Sequence, residues 1–260
     1  MITSSSNRHV KQVIQLQKKN RARKEEDCFV VEGRKMALEA PADRIRQVYL
    51  SASFYEQYKI PEKLAEVPVE IVEDRVFAQM SDTKTPQGIL CLVKQYHYDR
   101  EEILGKTKPL LLVLEDLQDP GNVGTIFRTA EGAGADGIIL GSGCVDIYHP
   151  KTIRSTMGSV YRVPFFYEDD LTKIIQELRK CGIRTYAADL SGKNSYDQED
   201  YQSGTAFLIG NEGKGLSPGL IREADCRIRI PMEGKLESLN AAVAAALLLY
   251  EGHRQRTASP

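Results

Sequence analysis

GTAFLIGNEGKGLS (204–217) is the stretch whose reading decides the fold. Phe207 to Ile209 form an apolar run that breaks at Gly210 into a glycine-punctuated loop, and the apolar pattern resumes at Leu216. That is the pattern of a buried strand emptying into a loop. CRIRIPMEGKLESLNAAVAAALLLYE (226–251) repeats the plan: Ile228 and Ile230 alternate, Pro231 stops the run, a loop holds Gly234, and a helix follows. Strand ends followed by loops of glycine and small polar residues are where α/β sheets bind ligands. The two loops read as halves of one pocket, so the chemistry is expected in the C-terminal part.

Working outward, PLLLVLEDL from Pro109 is a continuous apolar strand of the kind buried on both faces. A polar turn, QDPGNVG (118–124), leads into a helix at TIFRTAEGAGA. GIILG (137–141) is a strand, PKTIRSTMG (150–158) a short helix, and YRVPFF a strand. DLTKIIQELRKCG is an amphipathic helix and IRTYAADL a strand. Strands alternating with helices mean a parallel sheet covered on both faces. The helix Ala241–Tyr250 is apolar nearly all round and therefore needs burial on every side.

Ahead of this region lies a smaller α/β pattern. His9–Lys19 reads as an amphipathic helix with one basic face, followed by strands at 28–33, 45–50, 67–72 and 88–95. YHYDREEILGKTKP (96–109) is polar and reads as a linker. The expected division is a first domain at 1–96, a linker at 97–108 and a second domain at 109–260.

Net charge is −1, yet residues 1–24 carry seven basic side chains (Arg8, Lys11, Lys18, Lys19, Arg21, Arg23 and Lys24) and no acid. Such a stripe is either a solvated face or the footprint of a phosphate backbone. The longest apolar run is about half of the roughly 20 residues a membrane span needs, and the N-terminus lacks the apolar segment of a signal peptide. A cytoplasmic protein is expected. Cys28, Cys91, Cys144, Cys181 and Cys226 form no CxxC pair and the four histidines no HxxxH spacing. These read as reduced thiols, with no metal site.

GAGADG (132–137) matches G-x-G-x-x-G, but its glycines follow a helix and precede a strand, the reverse of a dinucleotide-binding turn. The turn at 118–124 says more. Free amides at the start of the following helix can hold an anion. Asn122 suits an N-cap, Gly124 marks a close approach to the backbone, and Arg128 lies one helical turn beyond it. The plainer alternative is that Asn122 only caps and Arg128 only pairs with Glu131 on the surface.

Three motifs then carry a resemblance. N-x-G-x-x-x-R (Asn122–Arg128), G-N-E-G-x-G-L (Gly210–Leu216) and I-P-M-x-G-x-x-x-S-L-N (Ile230–Asn240), in this order, resemble the signatures of the SpoU family. Its members are S-adenosylmethionine-dependent RNA ribose 2′-O-methyltransferases of the SPOUT class. The resemblance covers roughly 109–252, and the N-terminal part is similar to the ribosomal-protein-like substrate-binding domain of rRNA-directed members.

The resemblance implies an α/β fold whose C-terminal segment forms a deep trefoil knot, and a homodimer packed through the C-terminal helix with each active site completed by both subunits. It implies that Gly210, Ile230 and Leu239 bind the cofactor, with Ile209 and Met232 packed on its faces; Met232 as a core filler is the plainer reading. Arg128 matches the arginine that activates the ribose hydroxyl, and Asn122, Glu212, Ser238 and Asn240 match the other polar positions; Glu212 is the alternative proton acceptor, with a loop brace as its plainer role. Large-subunit rRNA is the expected substrate. A tRNA methyltransferase, a base methyltransferase and a non-catalytic RNA-binding or ribosome-assembly factor remain the alternatives.

Overall fold

The structure, a computed structural model, describes residues 1–235 and 238–257. Leu236 and Glu237, inside the third motif, and residues 258–260 at the end of the expected second domain lie outside the described residues. The chain divides into two compact units, 1–96 with 146–161 and 97–145 with 162–260.

In the first unit, α1 (Arg8–Lys18) and α2 (Asn20–Glu26) precede β1 (Cys28–Glu32) and α3 (Arg34–Glu39). β2 (Ile45–Ser51), α4 (Ala52–Tyr58), β3 (Val69–Val72), α5 (Asp74–Met80) and β4 (Ile89–Lys94) complete the N-terminal part. The strands form a mixed sheet in the order β1-β4-β2-β3, in which β4 runs antiparallel to both neighbours and β3 parallel to β2. α1 buries Val10, Val13 and Leu16, one face at helical spacing, against this sheet's core. The basic stripe is not uniform: Arg23 is 3% exposed, pairs with Asp146 at 2.7 Å and donates to the Leu16 and Gln17 carbonyls. It is a structural cation, and six basic residues of the stripe remain exposed.

The second unit opens with α6 (Arg100–Leu104), β5 (Leu110–Leu114), α7 (Pro120–Gly132) and β6 (Gly137–Gly141). The segment 146–161, expected in the second domain, groups instead with the first unit. It holds α8 (Pro150–Thr156), and its Tyr148 stacks on Phe29 with ring centroids 4.6 Å apart and receives the Tyr96 backbone N–H at 2.7 Å. Aromatic burial draws this segment away from its neighbours in sequence. The expected linker also contains structure, since Ile103 and Leu104 of α6 are buried in the second unit's core.

The chain then builds β7 (Phe165–Glu168), α9 (Leu171–Lys180), β8 (Arg184–Ala188), β9 (Asn194–Ser195), β10 (Thr205–Ile209), α10 (Pro218–Glu223), β11 (Cys226–Arg229) and α11 (Ala241–Thr257). The seven strands pair in the order β7-β6-β5-β10-β8-β11-β9, parallel throughout. Leu111, Val113, Ala206 and Leu208 pack towards α9 and α10 in one apolar cluster. On the other face Gly252 of α11 lies close enough to Leu110 and Phe207 that a Cβ would sit 3.1 and 3.5 Å from their side chains. Strands buried on both faces read as unbroken apolar runs, which is why LLLVL and TAFLI carry no alternation. α11 is not buried all round: Val243, Leu247 and Tyr250 are 48%, 36% and 49% exposed and lie on one face at helical spacing.

Candidate active site

Parallel pairing puts the carboxyl ends of β5, β8, β10 and β11 on one edge of the sheet. The strand order also reverses beside β5, with β6 and β7 on one side and β10 on the other. Such a switch point leaves a crevice between loops that diverge. A crevice of about 310 Å³ lies there. Its walls come from Ala188–Leu190 at the end of β8, Ile209–Leu216 at the end of β10, Ile228 in β11 with Ile230 and Met232 beyond it, and Ser238 and Leu239 ahead of α11. A second, wider hollow continues from it, sharing Glu212, Ser238 and Leu239 and adding Gln118, Asp119, Asn122 and Asn240.

The loop after β10 closes on itself. Asn211 and Gly215 exchange backbone hydrogen bonds at 3.1 and 2.8 Å, and the Asn211 side-chain oxygen accepts from the Gly213 and Lys214 amides, both at 3.0 Å. Gly215 turns the chain with φ +68°, the left-handed region open to glycine. The returning strand passes so near Gly210 that a Cβ there would lie 2.2 Å from the Gly215 carbonyl carbon and the Leu216 nitrogen. Gly210 is therefore glycine for steric reasons inside the loop.

One carboxylate ties the loops together. Glu212 accepts from the backbone N–H groups of Gln118 and Asp119 and from the Asn122 side-chain amide, each at 3.1 Å. Asn122 in turn accepts from the Asn240 amide at 2.9 Å, and Asn240 caps α11 by accepting from the Ala242 and Val243 amides at 2.9 and 3.3 Å. The chain of contacts thus runs from β10 to β5 to α11. Burial pushes the Glu212 pKa up, but the Asn122 amide and the backbone donors outweigh it and hold the carboxyl below its usual value. A carboxylate held ionised by three donors is a weak base and a good brace.

The sequence-predicted residues therefore fall into two groups. Ile209, Gly210, Ile230, Met232 and Leu239 line the crevice, and Glu212, Ser238, Asn122 and Asn240 line it or the adjoining hollow. Met232 is half-buried in the crevice wall, so it is not simply a core filler. Arg128 lines neither cavity. It is exposed on α7, six residues or about 9 Å of helix rise beyond Asn122. Glu131 does not neutralise it, because Glu131 pairs with Arg162, and Arg128 has no hydrogen-bond or ion-pair partner among the described residues.

Two sequence expectations are corrected at the start of α7. The N-cap is Asp119, whose carboxylate accepts the Asn122 N–H at 2.9 Å, and Asn122 lies inside the first turn. Pro120 occupies the first helical position, where its missing N–H costs nothing, so the helix begins five residues before the TIFRTAEGAGA pattern at Thr125 suggests. Sequence reasoning also missed the wall formed by Asp189 and Leu190. Its signal was available: Leu190 is an apolar residue in the polar run DLSGKNSYDQED, and it is 60% exposed at the crevice rim.

Residues 109–250 match the SpoU rRNA Methylase family, and residues 7–91 match the MRM3-like substrate binding domain. The chain is 32% identical over 253 residues to RlmP of Bacillus subtilis, a 23S rRNA (guanosine(2553)-2'-O)-methyltransferase, covering 96% of this chain and 97% of that one. An AdoMet-bound rRNA methyltransferase from Sinorhizobium meliloti superposes with a TM-score of 0.85 at 31% identity, covering 97% of each chain. The SpoU methyltransferase AviRb from Streptomyces viridochromogenes, in complex with AdoMet, gives 0.86 at 26% identity over 98% of this chain and 100% of that one. The parallel sheet with its gathered loops is thus a methyltransferase domain behind a substrate-binding domain. The chain belongs to the SpoU rRNA methylase family.

Proposed function

We propose that this chain transfers a methyl group from S-adenosylmethionine to a ribose 2′-hydroxyl of structured RNA, with large-subunit rRNA as the substrate. The observation that carries this reading is the Glu212–Asn122–Asn240 hydrogen-bond chain, which gathers the three motif-bearing loops around one crevice.

The crevice suits the cofactor. Its volume is within the range of small-molecule sites. Ile209, Ile228, Ile230, Met232 and Leu239 supply apolar walls for a flat purine, and backbone groups around Gly210, Ile230 and Leu239 supply polar contacts. When bound, S-adenosylmethionine supplies an electrophilic methyl group on a sulfonium. The protein's own task is to hold the nucleophilic hydroxyl in line and help it lose its proton. Arg128 is a poor base, because a guanidinium has a pKa above about 12. Its role is to hold the adjacent phosphate and stabilise the developing alkoxide, whose proton would pass to solvent water while the S–CH3 bond breaks and the neutral thioether leaves. Asn122, Ser238 and Asn240 position the ribose, and Glu212 braces the loops.

Arg128 then needs a way to meet a crevice it does not line, and a homodimer packed through α11 supplies one. The exposed Val243, Leu247 and Tyr250 face supports this assembly, in which each active site draws on both subunits. The resemblance to the SpoU family supports a C-terminal segment tucked through an earlier loop as a deep trefoil knot. The first unit, a ribosomal-protein-like domain, captures the RNA, with the six exposed basic residues of its N-terminal stripe on phosphates. The enzyme works in the cytoplasm; among the described residues no helix is long and apolar enough to cross a membrane.

The test is transfer of labelled methyl from S-adenosylmethionine to total RNA, followed by nuclease digestion and mass spectrometry. A 2′-O-methylated nucleoside in large-subunit rRNA is expected. Label in tRNA or on a base would replace the substrate or the acceptor, and no label would leave an RNA-binding factor.

A further inference from the structure

The first unit contains a cleft of about 640 Å³ that the reaction above leaves unused. Arg34 of α3, Phe54 and Tyr58 of α4, and Asp74 of α5 line it, with Gln87 and Gly88 ahead of β4. The Phe54 and Tyr58 rings are 5.0 Å apart at 48°, and the Arg34 guanidinium lies over the Tyr58 face at 4.7 Å. That guanidinium has no hydrogen-bond or ion-pair partner among the described residues, and Tyr58 is 45% exposed. Together they form an exposed cation–aromatic platform.

The rest of the lining is tightly fixed. The Gln87 side-chain oxygen accepts the Arg34 backbone N–H at 2.8 Å. Gly88, at φ +77°, sits where a Cβ would lie 2.6 Å from the Ser51 hydroxyl and 2.8 Å from the Phe54 Cβ. Asp74 is anchored by Ser53, whose N–H and hydroxyl donate to it at 3.1 and 2.9 Å, and these bonds hold its carboxyl below the usual range. Lys35, Lys59 and Arg75, next to lining residues in the chain, are exposed.

We propose that this cleft receives one unpaired guanine of the RNA substrate, stacked on the Tyr58–Arg34 platform with its N1–H and amino group donated to Asp74. Single-stranded RNA is read by stacking splayed bases on aromatic rings and arginine planes and by bonding their Watson–Crick edges. A carboxylate only accepts, and among the four bases guanine alone presents two adjacent donors on that edge. The exposed Lys35, Lys59 and Arg75, neighbours in the chain of lining residues, can meet the RNA phosphates. The assignment rests on the RNA-directed activity proposed above.

Fluorescence anisotropy of the full chain with a hairpin RNA carrying one bulged guanosine tests it, compared at one salt concentration with bulged adenosine, cytidine and uridine and a fully paired hairpin. The guanosine bulge is expected to bind about tenfold tighter than the other four. Tyr58→Ala and Asp74→Asn erase that difference while leaving the paired hairpin's affinity and the S-adenosylmethionine Kd unchanged. Equal binding of all five hairpins, or a preference that survives both substitutions, overturns the assignment. Methyl transfer to total rRNA by the unaltered chain reads the enzymatic activity separately, so either proposal can fail without the other.

Discussion

The two cavities are built on opposite plans. In the second unit the sheet makes the site: every strand runs the same way, the carboxyl ends share an edge, and three loops meet there. In the first unit β4 runs antiparallel to its neighbours, so no edge collects every strand's carboxyl end. Its cleft is made instead by tilted ring packing, a serine-anchored carboxylate and Gly88 in the left-handed region. Topology places a site cheaply in one direction of winding, and side-chain packing has to place it otherwise.

If Arg128 supplies the charge that the loop-built site lacks, Arg128→Ala lowers methyl transfer by about 10²–10³-fold, the loss typical of removing one transition-state donor. Calorimetric binding of S-adenosylmethionine is retained. Near-normal turnover removes Arg128 from the mechanism.

The contrast in construction is sharpened by paired glycine substitutions. Gly210→Ala forces the β10 loop apart, with a cost of about 1–3 kcal/mol of stability and at least tenfold weaker cofactor binding. Gly88→Ala, which overlaps Ser51 and Phe54, disturbs RNA-hairpin binding and leaves cofactor binding intact. Gly219→Ala on α10, where an added Cβ meets only the Ser217 hydroxyl at 3.8 Å, is the silent control. Thermal unfolding and calorimetry of the three variants decide the matter; identical losses in Gly210→Ala and Gly88→Ala break the comparison.

Glu212→Gln keeps one acceptor oxygen but cannot satisfy all three donors, and lowers stability by about 1 kcal/mol at neutral pH. The folded-state pKa of Glu212 lies below its unfolded value of 4.5, so its contribution is fully present above that value and is lost as pH falls through the folded pKa. Denaturant titrations of wild type and variant should therefore converge as pH falls from 7 to below 4. A gap independent of pH would assign the effect to packing. The smallest effect belongs to Asp119→Ala, which removes the α7 cap at about 1 kcal/mol of stability or less, with activity largely kept.

Much of the second unit was legible because its elements are local signals. Leu110–Leu114 and Thr205–Ile209 are runs that only a strand buried on both faces explains, and α9 shows its apolar face at Leu171, Ile174, Ile175 and Leu178. The three motifs named residues that do line one crevice or its continuation. What failed was what depends on distant partners. PKTIRSTMG forms a helix, as its pattern predicts, and groups with the first unit, where the stacking of Tyr148 on Phe29 spans more than a hundred residues. Arg23 looked like one more surface cation until Asp146 and two carbonyls enclosed it.

The sequence alone determined the parallel sheet, the loop that breaks at Gly210 and the family of the chain, since apolar periodicity and motif order are written in consecutive residues. Only the tertiary structure decided that Glu212 spends its oxygens on Gln118, Asp119 and Asn122, and that Arg128 stands outside the crevice its motif partners line. Hydrogen bonds between loops some ninety residues apart follow from how strands are ordered in the sheet, and strand order leaves no mark on local pattern.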